Sequence, residues 1–462
     1  MRKLLHASIA PKDAASLAAF RVLFGVLCCV GSLRFMASGW VEQMYVLPST
    51  HFTYWGFSWV QVLPRWAMVS AVGLMALAGL CVALGLFYRL AIVTFFVMFT
   101  YVELIDVTNY LNHYYLISLF AFLMCWMPLG DAHGLDARRQ PSRARATFPG
   151  WMLWLLRFQV GVVYTYAAVA KTGSDWLVHG QPLGIWLAAR TDTPLLGPYL
   201  DMPGAALCMS WGGFVYDATI VPFMLWSRSR PVAFVAAVGF HLTVGTLFNI
   251  GMFPWIMVVV LTLFFSPGWP RRWLRRLGPT PSPCPAPTWR WTVPSRLAVL
   301  GVACFAVLQV AVPARAFLYG GDVIWHEQGM RFAWKVMVRE KSGSLTYRVR
   351  TDRWPRDKHV FPSKYLTSAQ EREMAGQPDQ ILQLAHHIAD DLRADGHTGV
   401  AVYADAQVSL NGRPMAQLVD PLVDLTRITD GLGPAEWILP APAGPPVALK
   451  PLRRLTQSTD YP

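Results

Sequence analysis

The feature that most constrains this chain is a series of apolar runs, each bounded by charged or turn residues. They fall at about 14–37, 66–87, 90–108, 114–129, 151–170, 208–226, 232–249, 252–266 and 297–313. A bilayer span needs roughly 20 apolar residues, and the fourth and eighth runs are short. The reading is a polytopic α-helical membrane bundle of about eight or nine transmembrane helices. Composition agrees: 15% of residues are charged, against about 25% in soluble domains. The basic start, "MRKLLHASIAPKDAAS", lacks a short apolar core with a small-residue cleavage site. The first span is therefore expected to act as its own targeting signal.

Charge sets an expected orientation. The net charge of +13 invites a nucleic-acid reading, but its distribution argues against one. Up to residue 313 there are 22 Lys+Arg against 10 Asp+Glu; beyond it, 18 against 17. The excess sits at Arg2, Lys3 and Lys12, at Arg89, at Arg138, Arg139, Arg143 and Arg145, at Arg228 and Arg230, across 271–276, and at Arg290 and Arg296. These are the N-terminus and the loops after spans two, four, six and eight, all on one side. That is the positive-inside pattern. The loops at 38–65, 109–113, 171–207 and 250–251 are then expected outside, with everything after 313.

A Pro-rich connector, 277–294, precedes the last span. The domain division is 1–313 for the transmembrane helical part and 314–462 for a strand-rich α+β domain on the outer side. In the latter, "RFAWKVMVRE", "KSGS" and "LTYRVR" read as a hairpin. "PDQILQLAHHIADDLRADG" has Ile381, Leu384, Ala385, Ile388 and Leu392 at helical spacing, with Gly396 as a stop. "VAVYADAQVSLNGRP" reads as a strand ending in a turn at Asn411-Gly412.

Several chemistries lack their motifs. All seven cysteines lie in spans or the connector. With the absence of any Asn-x-Ser/Thr acceptor, this suits a bacterial inner membrane with the C-terminal domain periplasmic; in a eukaryote the domain would be lumenal. No Cys/His set has zinc spacing, and no metal is expected. Phosphate-binding Gly loops and a Gly-x-Ser-x-Gly elbow are absent too.

What remains is the set of ionisable groups in or beside the spans, each costly there and each a functional candidate. Arg157, Arg21 and Arg34 read as snorkelling residues near span ends. Glu103 and Asp106 share a face near the outer end of span three, either to meet a cation or to reach water. Asp217, deeper in span six, reads as one half of a buried pair. His241 reads as a packing histidine, and His113 as an interfacial one beside Tyr114 and Tyr115. Lys171, which ends span five, is either an interfacial anchor or a desolvated amine able to act as a base. Lys171, Asn112, His113, Asn249 and Gly251 all fall at the outer end and could line one site. The break "FNIGMFPW" reads as a tight turn or re-entrant piece of the kind that lines a cavity.

Five blocks then carry a resemblance: "NHYYL" at 112–116, "AKTGSDWLVHG" at 170–180, "FHLTVGTLFNIGMFPWIM" at 240–257, "FAWKVMVRE" with "LTYRV" at 332–349, and "YADAQVSLNGRPMAQLVDPLVDL" at 403–425. In order and spacing they resemble the vitamin K-dependent γ-glutamyl carboxylases. The membrane half is also similar to the wider group of horizontally transferred transmembrane domains. The resemblance implies a carbon–carbon lyase that couples oxygenation of reduced vitamin K to its epoxide with carboxylation of a peptidyl glutamate. O2 and CO2 would be co-substrates. Lys171 stands at the position of the family's base and His113 at that of its partner in carboxylation. The resemblance further implies that Asn112 orients a reacting group and that Trp334 contacts peptide. Asp175, Trp176, His241, Asn249 and Met252 are the other substrate- or quinone-binding candidates in the matching blocks. Arg339 and Lys341 stand where the family has a histidine and an arginine. The implied partners are a glutamate-containing peptide or protein and a membrane quinone or lipid, with no nucleic acid. Two alternatives stay open: a quinone- or lipid-binding module without carboxylation, and an enzyme limited to quinone epoxidation. A transporter would place its charged groups at mid-membrane, whereas these cluster at one end.

Overall fold

The computed structural model describes residues 10–271 and 293–447. Arg2, Lys3, Arg272, Arg275, Arg276, Cys284, Arg290 and the connector up to residue 292 lie outside the described residues.

Helices occupy all nine apolar runs. They are α1 (Ala15–Ala37), α2 (Arg65–Leu84), α3 (Tyr88–Ile105), α4 (Asn112–Cys125), α5 (Gly150–Ala170), α6 (Ala205–Leu225), α7 (Arg230–Leu247), α8 (Phe253–Leu261) and α9 (Val293–Ala314). Six are long and apolar enough to cross a membrane, which is fewer than the eight or nine expected: α1, α2, α3, α5, α7 and the stretch Leu297–Leu318. The reason is geometric. At 1.5 Å per residue, the 14 residues of α4 and the 9 of α8 fall short of a hydrocarbon core about 30 Å thick. Helix α6 has the length, but Ser210, Asp217 and Thr219 lower its apolar content.

Small residues set the closest packing. A Cβ added at Gly25 would lie 2.4 Å from the Ala83 backbone nitrogen, and one at Gly79 would lie 2.7 Å from that of Cys29. Helices α1 and α2 thus touch backbone to backbone, the usual way apolar helices associate without a hydrophobic driving force. Two of the three arginines expected to snorkel do otherwise, while Arg34 is exposed. Arg21 is fully buried and donates to the carbonyls of Val82, Ala83 and His133 at 3.0–3.1 Å. Arg157 donates to the carbonyls of Leu263 and Phe265. Both meet carbonyls at or just beyond the ends of neighbouring helices, where carbonyls have spare acceptor capacity, and so tie those ends together.

The C-terminal domain is a four-stranded antiparallel sheet backed by one amphipathic helix. Strands β1 (Pro11–Asp13) and β2 (Thr147–Pro149) pair separately, beside the start of α1. The domain's strands are β3 (Lys341–Arg350), β4 (Lys358–Val360), β5 (Ala401–Leu410) and β6 (Ala416–Gln417), in the order β4-β3-β5-β6. Helix α10 (Pro378–Ala394) buries Ile381, Leu384, Ala385, Ile388 and Leu392 against the sheet, the face its spacing predicts. Gly396 ends it at φ +80°, and Asn411-Gly412 turn the chain from β5 to β6.

The expected hairpin at 331–350 is not formed. "KSGS" is the first part of β3 and not a turn, and its long partner is β5. Residues 331–340 form turns and irregular backbone, because Phe332, Trp334 and Met337 hold positive φ, a region a strand cannot use. Their aromatic side chains turn into the bundle: Trp334 stacks on Tyr115 at 5.0 Å, and Phe332 packs on Tyr110 and Tyr115.

Polar contacts fix the domain on the bundle end that carries Lys171. Thr53 and Gln383 exchange two hydrogen bonds at 3.0 Å. Asp106 accepts from Gln370 of the domain and from Thr108. Trp186 donates to Glu340.

Candidate functional site

Helix α5 starts after Pro149 and runs apolar to Ala170. Lys171 caps its C-terminal end, its amide donating to the Ala168 carbonyl. A cation is favoured at that end of a helix. The side chain turns inward and is 5% exposed. Its Nζ lies 2.9 Å from Asp217 Oδ2 and donates to the carbonyls of Val336 at 3.2 Å and Ala167 at 3.4 Å. The Trp176 ring lies 5.2 Å away. One of these partners, Val336, belongs to the C-terminal domain, so the amine sits where the two halves meet.

Lys171 and Asp217 head a pocket between α5, α6, α7 and α8, with roughly 650 Å³ of space, its mouth included. The walls are apolar and aromatic, among them Val163, Phe240, Phe248, Phe253 and Met257. Its other polar members, Tyr164 and His241, form a cluster with Tyr216 of α6: His241 Nε2 lies 3.1 Å from the hydroxyls of both Tyr164 and Tyr216, which lie 3.2 Å apart. His241 is 1% exposed, and its Nδ1 has no partner among the described residues. An apolar cavity with a few convergent polar groups is the usual form of a small-molecule site. Among the described residues, no group of His, Cys, Asp or Glu could hold a metal.

The expected single site is divided. Lys171, Trp176 and His241 line this pocket. His113 stands on the other side of Phe253; its ring is 6.0 Å from the Phe253 ring, against 5.6 Å for His241, and its Nε2 is buried without a partner. Asn112 accepts from Tyr110 and lines a separate polar chamber with Arg331, Lys335, Arg339, Glu327 and Glu373. Met337 borders both spaces. Asn249 is exposed on the turn after α7, and Met252 faces a third cavity. Asp175 is a tether: both its oxygens pair with Arg413, at 2.7 and 2.6 Å, and one accepts from Asn411. Burial would raise its pKa, but the Arg413 and Asn411 hydrogen bonds outweigh that and hold it below the usual carboxylate value. Trp334 is 1% exposed and packed on Tyr115, so its ring offers peptide no open face.

Asp217 is the residue whose role at the site was least legible. Its sequence signature was a buried acid wanting a cation, and Lys171 is that cation. Tyr164 had a clearer signal, since positions 164, 167 and 171 share one face of α5.

The chain matches the model of the HTTM domain over residues 9–269 and that of the vitamin K-dependent gamma-carboxylase lumenal domain over residues 294–444. No solved structure matches it.

Proposed function

The chain belongs to the HTTM family and, through its second domain, to the vitamin K-dependent γ-carboxylases, and on that premise we propose that Lys171 is the base of a hydroquinone-driven carboxylation of peptidyl glutamate. The observation that carries the reading is the amine of Lys171, buried beside Asp217 at the head of an apolar pocket. The pocket fits reduced vitamin K: its walls are apolar, and the unpartnered His241 Nδ1 offers a bond to a ring oxygen. Bound there, reduced vitamin K supplies the reducing equivalents for oxygenation, with O2 and CO2 as co-substrates.

The chain's own part is proton handling and exclusion of water. Lys171 must be neutral to act. Its extra proton can pass to Asp217 across the 2.9 Å contact, and a dry pocket favours the neutral pair over two separated charges. Nζ then accepts a proton from the ligand's hydroxyl. Phe240, Phe248 and Phe253 keep bulk water away from the base so formed. The glutamyl chain would approach through the polar chamber, where Lys335 forms no ion pair among the described residues and can meet a carboxylate. His113, behind Phe253, would serve the carbanion side. In this reading the C-terminal domain is periplasmic and the membrane is the bacterial inner membrane.

Membranes given reduced vitamin K, a Glu-rich peptide and labelled CO2 test the proposal. Wild type should yield epoxide and labelled peptide, and Lys171→Ala neither. Epoxide without label would favour the epoxidase reading, which Met337 supports by standing between the pocket and the chamber. Neither product across several quinones would end the proposal.

A further inference from the structure

A second intramembrane cavity lies on the far side of the turn that joins α7 to α8. Met252 faces it, while the next residue, Phe253, faces the Lys171 pocket. It holds roughly 630 Å³ of space, mouth included, between α1, α2, α3 and α4. Most of its wall is apolar, and Phe95 and Phe99 form a stacked pair there at 5.4 Å.

Besides Ser32, whose hydroxyl donates to the Cys28 carbonyl at 2.9 Å, three oxygen-bearing side chains line the cavity. Glu103 lies near the end of α3, and Tyr45 and Tyr114 stand beside it. None of the three side-chain oxygens makes a hydrogen bond or ion pair within the described residues. Arg34, the arginine of the lining, is exposed and stacks over Trp40 at 4.9 Å. A carboxyl without a partner among apolar walls is costly, and unpaired hydroxyls there add to the cost. Such a cavity gains from a ligand that brings both donors and acceptors.

We propose that this cavity is a second site for a lipid-soluble quinol, distinct from the Lys171 pocket and independent of the reading of Lys171 as a base. A flat ring fits between aromatic walls. A quinol hydroxyl can donate to Glu103, and its oxygens can accept from the two tyrosines. A phospholipid meets these groups less well, because its acyl chains carry no hydrogen-bonding group and its phosphate would face a carboxyl. His113 borders the site, its ring 4.6 Å from that of Tyr114, and contacts Phe253 on the other side. The two cavities are therefore separated by little more than these rings.

The test uses the full chain in lipid nanodiscs with a photoreactive naphthoquinone kept reduced, and maps the labelled peptides. Label should appear on segments carrying Glu103 and Tyr114 as well as on those carrying Tyr164 and His241. Glu103→Leu should cut label on the first pair about tenfold, the worth of one hydrogen bond to such a group, and leave the second pair as an internal control of folding. Glu103→Gln, which keeps a donor and an acceptor, should retain most of it. The proposal falls if the Glu103 and Tyr114 segments stay unlabelled, if Glu103→Leu leaves their label unchanged, or if a photoreactive phospholipid labels them equally well. A failure of carboxylation or epoxidation would not touch this result, since the readout is binding.

Discussion

Among the described residues two lysine–carboxylate pairs are buried, one in each half, and they are built differently. In the C-terminal domain, Lys341 Nζ lies 2.8 Å from Glu327 and also donates to the carbonyls of Trp325 and Gly376 at 2.5 and 2.7 Å. Arg339 binds the same Glu327 and reaches Glu373. Every charge there has short, complementary partners. Lys171 has one charged partner and two longer carbonyl contacts, and both members of its pair line an open apolar pocket. Burial of a lysine is therefore no mark of chemistry by itself. What separates the two is the company each keeps: Glu327 lines the polar chamber but is shared by Lys341 and Arg339, whereas Lys171 and Asp217 have each other as charged partner and face an apolar pocket that a ligand can fill.

The sharpest way to break this comparison is to remove each lysine's function separately. Lys171→Met should lower turnover by about 10²–10⁴, the usual worth of a positioned base. The double change Lys171→Met with Asp217→Leu should be as inactive yet melt higher than the single variant, because it leaves no unpaired buried charge. An active double variant would show that the pair has no part in the reaction.

Glu327→Gln should act on stability instead, costing about 3–5 kcal/mol because Lys341 and Arg339 lose their shared anion. Denaturant unfolding followed by the domain's tryptophans would report it. The same variant carries a pH signature. Burial pushes the Glu327 carboxyl up, but Arg339 and Lys341 outweigh it and hold it below the usual glutamate value. Its stabilisation is therefore fully present above about pH 4.3, the ordinary glutamate value, and is lost as pH falls through the lower folded one. Glu327→Gln should flatten the stability slope in that acid window, and an unchanged slope would reassign it to other carboxylates.

Two smaller effects sharpen the contrast. Asp217→Asn should reduce kcat about tenfold to a hundredfold and move the pH–rate profile, since Lys171 loses its proton acceptor. A change in KM alone would make Asp217 a binding residue only. Asp175→Asn should cost about 1–2 kcal/mol, the scale of hydrogen bonds to a charged group, since the Asp175 and Arg413 side chains are largely buried, and leave the pH–rate profile in place, because the Arg413 tether lies outside the pocket.

Much of the bundle was legible. Nine helices lie where the apolar runs placed them, and α10 buries the face its spacing predicts. Those readings succeed because the hydrophobic pattern acts locally, one element at a time. The hairpin at 331–350 was misread for the converse reason. Strand-like composition in "FAWKVMV" was overruled by aromatic anchoring into the bundle, with three residues at positive φ, and that anchoring is invisible in the segment alone. Snorkelling for Arg21 and Arg157 failed likewise, because the carbonyls they meet come from residues up to 112 positions away.

By itself the sequence determined that the chain is a membrane bundle with an appended strand-rich domain, and it singled out Lys171 as the amine to explain. It could do so because span length, charge placement and helical period are properties of contiguous residues. Only the tertiary structure decided that Asp217 is the partner of Lys171, that Val336 of the C-terminal domain meets the same Nζ, and that the expected single site is a pocket, a polar chamber and a third cavity. Those are facts of packing between segments 46 and 165 residues apart, and packing is settled by the shape of the whole bundle rather than by any one run of residues.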